Sequence, residues 1–249
     1  MLDEALDLFL GSRCVGCERP GRMLCAPCRG SMSVRAAVAW PTPVPAGLVT
    51  PWASETYDGA VRALVVGHKD RGQWGHRQVL AELLAEAVRG ASAHLDPAVP
   101  LLLVPVPSRP GAGRQRGYEA TAALVRTAAT LLRREPHLSP HQRRRVVVAP
   151  LVISRGAADQ AGLDAAGRAA NVHRSMHCPS RALARVARRW PRAYVVVCDD
   201  VLTTGSTARE AQRALESVGL SPVAIAAVAA TRRTARQVTL PVGLGPPRG

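Results

Sequence analysis

The stretch that most constrains this chain is Tyr194-Val195-Val196-Val197-Cys198-Asp199-Asp200-Val201-Leu202-Thr203-Thr204-Gly205-Ser206-Thr207. Its apolar run has the character of a buried parallel strand. The run meets two adjacent carboxylates, then a hydroxyl-rich turn around a glycine. A helical pattern follows, with Ala208, Ala211, Leu215 and Val218 on one face. This order puts the turn at the carboxyl end of a strand, where parallel α/β sheets bind ligands. Free backbone N–H groups and the positive end of the helix dipole favour a phosphate there. Thr203, Thr204, Ser206 and Thr207 add hydroxyl donors, and Gly205 lets the main chain come close. Asp199 and Asp200 would repel a phosphate, but they suit sugar hydroxyls or the waters of a metal ion. The segment predicts a site for a phosphorylated sugar. A plain helix cap would need one hydroxyl, not four.

The rest of the chain agrees with an α/β fold. Leu101 to Val104 predicts a short buried strand, Val146 to Ile153 another despite Pro150, and Val223 to Ala229 a last one. Helical spacing predicts helices over about Gln78 to Arg89 and about Tyr118 to Arg133. Strands alternating with helices imply a parallel sheet wound on both faces. The chain holds a single Phe, Phe9, so aliphatic side chains and alanines must fill the core. The polar stretch from Ser154 to Ala170 lacks apolar periodicity, the mark of a functional lid or of disorder.

Four cysteines sit near the start as two Cys-x-x-Cys knuckles, Cys14/Cys17 and Cys25/Cys28. That spacing gives four thiolates at tetrahedral reach, as in structural zinc sites with no open position for chemistry. Disulfides are the competing reading, but the paired spacing suits them poorly. Cys178 and Cys198 stand alone, and Cys198 falls inside the apolar run as a small hydrophobe. The organisation expected is a short helix plus zinc module over 1–40, a proline-rich linker or extended lead-in strand over 41–56, the main domain over 57–238, and a disordered tail over 239–249. No apolar stretch approaches membrane-span length, and the first residues carry Asp3 and Glu4 where a signal peptide would be basic. A cytoplasmic protein is expected.

The formal net charge is +15, and Lys69 is the only lysine. Arginines cluster at Arg143-Arg144-Arg145, Arg188-Arg189-Arg192 and Arg232-Arg233-Arg236. Such a balance suits a pyrophosphorylated substrate or nucleic acid, and equally a solvated basic surface.

The segment from Tyr194 to Thr207 resembles the phosphoribosyl-pyrophosphate (PRPP) signature of type I phosphoribosyltransferases. The whole order of motifs resembles the ComF family, competence-associated proteins with a cysteine knuckle region and a C-terminal phosphoribosyltransferase-like domain. Tyr57, Gly59, Val61, Arg62, Leu64 and Lys69 match one family element. Val104-Pro105-Val106-Pro107 and Arg116-Gly117-Tyr118 match a second, with Glu119-Ala120 in place of Asn-Gln. Gln160, Leu163, Arg168, Asn171 and Val172 match a third. The resemblance runs from about Cys14 to Arg232, nearly the whole chain.

The resemblance implies a type I phosphoribosyltransferase-like parallel sheet flanked by helices, with a small N-terminal zinc-binding module. It implies that Asp199 and Asp200 act in catalysis by binding the ribose diol, and that Thr203, Thr204, Gly205, Ser206 and Thr207 cradle the 5′-phosphate. The pyrophosphate and flexible loops would contribute Lys69, Ser108, Arg109, Arg116, Gln160 and Arg168, with Arg114 and Arg155 close by. Lys69 lies between two glycines that suit a tight loop, and its compact ammonium suits a phosphate. The reaction implied displaces pyrophosphate from the anomeric carbon through an oxocarbenium-like transition state. Mg²⁺, held at Asp199 and Asp200 through the diol or water, would neutralise the leaving group. The acceptor is not legible. A nucleobase is a candidate, but the loop Ala230 to Thr234 after the last strand carries no aromatic ring to stack on one. The alternative is a non-catalytic protein that handles single-stranded DNA in competence. Such sites combine basic grooves with stacking aromatics, and Trp40, Trp52, Trp74 and Trp190 are scattered in sequence.

Overall fold

The structure, a computed structural model, describes residues 13–32, 35–108, 118–135, 140–154 and 175–231. Its centre is a six-stranded sheet in the order β1-β2-β8-β7-β3-β4. The parallel strands are β2 (Pro51–Thr56), β3 (Leu101–Pro105), β4 (Val146–Val148), β7 (Tyr194–Leu202) and β8 (Ala224–Ala230). The edge strand β1 (Ala37–Val38) runs antiparallel to β2. Strands β5 (Ile153–Ser154) and β6 (Met176–His177) form a separate antiparallel pair.

Strand side chains alternate between faces, so each central strand feeds two cores. Leu103, Val196, Cys198, Ala226 and Val228 join one core, under helices α2 (Gly59–Asp70), α3 (His76–Ser92) and α4 (Ala120–Arg133). Leu102, Val104, Val195, Val197 and Ile225 join the other, under α6 (Ser180–Arg189) and α7 (Ser206–Glu216). The remaining helices are short, α1 (Ala26–Gly30) and α5 (Pro140–Arg143). Alanine makes this close: Ala81, Ala85, Ala87 and Ala91 of α3 are fully buried, as are Ala226, Ala227 and Ala229 of β8. The expected mostly parallel sheet with helices on both faces is therefore present. Among the described residues no helix is long and apolar enough to cross a membrane.

Several local expectations differ from the structure. The segment 41–56, read as a linker or an extended lead-in strand, ends in β2, a full strand paired with β8 from Pro51↔Ile225 to Thr56↔Ala230. The strand expected over Val146 to Ile153 is split in two, because Pro150 has no N–H to donate and Leu151 instead bonds back to Ala149. Lys69 sits in the last turn of helix α2, not in a tight loop. The helix carries glycine at position 67 because a Cβ there would lie 2.3 Å from Gln73 Oε1 and 2.4 Å from His76 Cε1. The tail expected over 239–249 lies outside the described residues.

The strand order creates the site. From β3 the chain moves to β4 on one side, and from β7 to β8 on the other. The crossovers α4 and α7 therefore leave the sheet on opposite faces, opening a crevice at the carboxyl ends of β3 and β7. The cysteine module packs on the sheet domain: Met32 is buried in the first core, Val15 and Leu24 rest against it, and Arg29 pairs with Glu82 of α3.

Candidate functional site

A cavity of about 480 Å³ occupies this crevice, lined by Lys69, Ser108, Asp199, Asp200, Thr203 and Thr207 among others. The alternation of β7 sends Asp199 toward the α7 face, with Val195 and Val197, and Asp200 toward the α2 face, with Val196 and Cys198. Both acids are buried. Lys69 Nζ lies 2.7 Å from Asp200 Oδ2 and donates to Oδ1 at 3.0 Å. Asp200 N–H donates to Asp199 Oδ1 at 2.8 Å, and Val201 N–H to Asp200 Oδ1 at 2.9 Å. Burial, and then the neighbouring Asp200 charge, push the Asp199 carboxyl well above the usual carboxylate range, with Lys69 opposing. Burial also holds His68, beside Lys69, below its ordinary value, against a hydrogen bond to the Ala120 carbonyl. Among the described residues lining the cavity, Lys69 is the cation that pairs with the acids.

The turn after β7 is held open from behind. Gly205 adopts φ +73°, and a Cβ there would lie 3.0 Å from Pro41 Cγ and 3.3 Å from Leu48 Cδ2. Helix α7 secures that proline-rich segment: Arg209 Nε donates to the Ala46 carbonyl at 2.9 Å and Gln212 Nε2 to the Gly47 carbonyl at 2.8 Å. The Gln212 carbonyl oxygen in turn accepts from Val49 N–H at 3.1 Å. Thr203, Thr204, Ser206 and Thr207 are exposed while Gly205 is buried. Gly205 stands at the N-cap of α7 and has no side chain to cap it, while Ser206 N–H reaches Thr204 Oγ1 at 3.4 Å. Thr204 Oγ1 lies 2.9 Å from Ser206 Oγ. The loop thus offers hydroxyls and first-turn N–H groups outward, which favours an anion.

The opposite wall is the segment after β3. Its Ser108 C=O accepts from Ser154 Oγ at 3.0 Å, and its N–H donates to Glu119 Oε2 at 3.3 Å. The Ser108 hydroxyl is buried and has no partner among the described residues. Glu119 is thus a contact of this wall that the sequence did not assign. The floor includes Met176 of β6, which is clamped by α7. The buried Glu210 Oε1 accepts from Met176 N–H at 3.1 Å, and Arg213 Nη2 donates to the Met176 carbonyl at 2.9 Å. Thr204, Gly205 and Ser206 flank the cavity through their chain neighbours. Arg109, Arg114, Arg116, Arg155, Gln160 and Arg168 lie outside the described residues.

The cysteine cluster forms as its spacing predicts. The Sγ atoms of Cys14, Cys17, Cys25 and Cys28 all lie within 4.8 Å of one another. Cys25 Sγ is 3.5 Å from Cys14 Sγ and 3.6 Å from Cys17 Sγ, with all four thiols free, so no disulfide joins them. Tetrahedral zinc at about 2.3 Å from each sulfur needs edges of about 3.8 Å, so the cluster fits the ion. Burial opposes ionisation of Cys14, but N–H groups of Cys25, Gly16 and Cys17 outweigh it and bring the thiol down to about 6. Neighbouring thiols, Cys25 first, push Cys28 up to about 12. Four crowded sulfurs cannot all ionise without a cation between them. Cys198 is fully buried and its thiol is pushed up by that burial, in keeping with a packing role. Compared with known proteins, the chain matches no family model and no curated protein.

Proposed function

We propose that the protein binds PRPP and transfers its phosphoribosyl group to an acceptor, releasing pyrophosphate in a Mg²⁺-dependent reaction. The observation that carries this reading is one cavity lined by the acidic pair, its lysine and the hydroxyl loop, at the point where the strand order reverses. On this reading the sheet is of the type I phosphoribosyltransferase kind, and the resemblance to the ComF family supports it. Asp199 and Asp200 receive the ribose hydroxyls and stabilise positive charge developing on the ring. Thr203 to Thr207 and the start of α7 hold the 5′-phosphate. Ser108, with its unpartnered hydroxyl, faces the pyrophosphate beside Lys69. The bond from the anomeric carbon to the pyrophosphate oxygen breaks, the electron pair leaves with pyrophosphate, and the acceptor's lone pair forms the new bond. Asp199 and Asp200 would hold Mg²⁺ through the ribose diol or its waters, and the ion would supply neutralisation of the leaving-group charge.

The four cysteines hold structural Zn²⁺ in this reading, and a cytoplasmic location keeps them reduced. A nucleobase acceptor and single-stranded DNA are the competing partner classes beyond PRPP. Trp40 and Trp190 pack on one core and Trp52 on the other; Trp74 is 60% exposed beside Tyr118, but one exposed tryptophan is no continuous stacking track for a strand. The test is calorimetric titration with PRPP, with and without Mg²⁺, on the wild type and on Asp199→Asn/Asp200→Asn, followed by a pyrophosphate-release screen over bases. The double variant should lose Mg²⁺-dependent PRPP binding while keeping its fold. Unchanged affinity would sink the assignment.

A further inference from the structure

At the other end of the sheet, beside the amino ends of β3 and β4, lies a groove of about 800 Å³. Five arginines line it, Arg133, Arg143, Arg144, Arg145 and Arg189, together with Trp190, and no carboxylate among the described residues does. Several are fixed in place by their own chain. Arg133 Nε donates to the Val146 carbonyl at 2.8 Å, Arg145 Nη1 donates to the Ala98 carbonyl, and Arg143 Nη2 reaches the Glu135 carbonyl at 3.4 Å. Arg189 lies over the Trp190 ring at 5.5 Å. The Glu135 carboxylate beside this region is engaged by Arg89 Nε at 2.6 Å.

We propose that this groove is a second anion site, specific for a compact polyphosphate of three or more linked phosphates. Guanidinium groups match phosphate oxygens in bidentate pairs, and they stay charged at every working pH. One phosphate carries roughly two negative charges, too few for five guanidinium groups, whereas a triphosphate chain comes close. The volume lies in the range of small-molecule sites, which is about 300–1,000 Å³. Trp190 packs against the core beneath α6 and already carries Arg189 on its ring, so recognition rests on phosphates and not on a stacked base. The site is separate from the cavity at the carboxyl ends. Pro100, which lines the groove, accepts from Tyr194 N–H at 2.8 Å, and Asp199 lies five positions beyond Tyr194 along β7, about 17 Å. The inference stands whether or not the cavity takes PRPP.

The test is titration of the zinc-loaded full chain, at about physiological salt, with inorganic tripolyphosphate, orthophosphate and an oligothymidylate of about 12 nucleotides. Tripolyphosphate should bind one to one, with orthophosphate at least about tenfold weaker. Arg144→Gln/Arg189→Gln alters two exposed side chains and should weaken tripolyphosphate at least about tenfold. Asp199→Asn/Asp200→Asn should leave tripolyphosphate affinity unchanged. The proposal is overturned if tripolyphosphate does not bind. It is equally overturned if the arginine variant binds as well as wild type, or if the aspartate variant alone loses binding, which would put the ligand in the other cavity. Tighter oligothymidylate binding through the same arginines would make the groove a nucleic-acid surface and end the compact-ligand proposal.

Discussion

Lys69 Nζ and Asp200 Oδ2, 2.7 Å apart, join the last turn of α2 to the end of β7 across 131 residues of sequence. The lysine side chain is 36% exposed and the aspartate 7%, so the aspartate depends on the pair far more than the lysine does. Lys69→Met should destabilise the fold by about 1–3 kcal/mol, short of the loss from a fully buried pair, because water reaches the vacated side. Urea unfolding at neutral pH measures this. Wild-type stability in the variant would show that Asp200 is satisfied without Lys69.

Asp199 supplies a pH signature. Its folded-state pKa is raised by burial and by Asp200. A raised carboxyl favours the folded state below its unfolded pKa, and that contribution is lost as pH climbs through the folded value. Stability should therefore fall as pH rises out of the ordinary carboxylate range, by about 1.4 kcal/mol per pH unit until the folded carboxyl ionises. Asp199→Asn should flatten that slope and leave the neutral-pH protein more stable, while abolishing PRPP binding. Thermal denaturation across acid to neutral pH checks it. A variant with the wild-type slope would show that Asp199 ionises freely.

Zinc analysis should find one ion per chain. Cys25→Ser or Cys28→Ser should release it, at a cost of about 10 kcal/mol or more in local folding free energy. Because Val15, Leu24 and Met32 meet the main core, the loss should also lower the melting temperature of the whole chain. Metal-free protein purified without chelators, melting like the wild type, would contradict both expectations.

How much of this was legible in the sequence depends on how local the signal is. The β7 strand, its acids and α7 are written in consecutive residues, and they appear in the structure as read. The cysteine cluster is legible for the same reason. Helix α2 was missed because Gly67 reads as a loop signal, while its actual cause is side-chain crowding by Gln73 and His76 from beyond the helix end. Strand β2 was half-hidden behind prolines, since only pairing with β8, far along the chain, identifies it as part of the sheet. The Lys69–Asp200 pair and the Ser108–Glu119 contact required the fold. In α6 the arginines at 181, 185, 188 and 189 mask the face formed by Ala182, Leu183 and Val186, which packs on the core.

One consequence concerns distance. A side chain at residue 16 would strike both Cys28 Sγ and Ala60 Cβ, so the cysteine knuckle rests against the first turn of α2, and Lys69 stands at the far end of the same helix. Twelve residues of helix form a strut about 18 Å long, and a helix shortens only by breaking its own hydrogen bonds. The smallest module of the chain therefore works as a gauge block. Together with the core contacts of Val61, Leu64 and Val65, it fixes where the strut lies, and with it the standoff between an ammonium group and the acids at the mouth of the cavity.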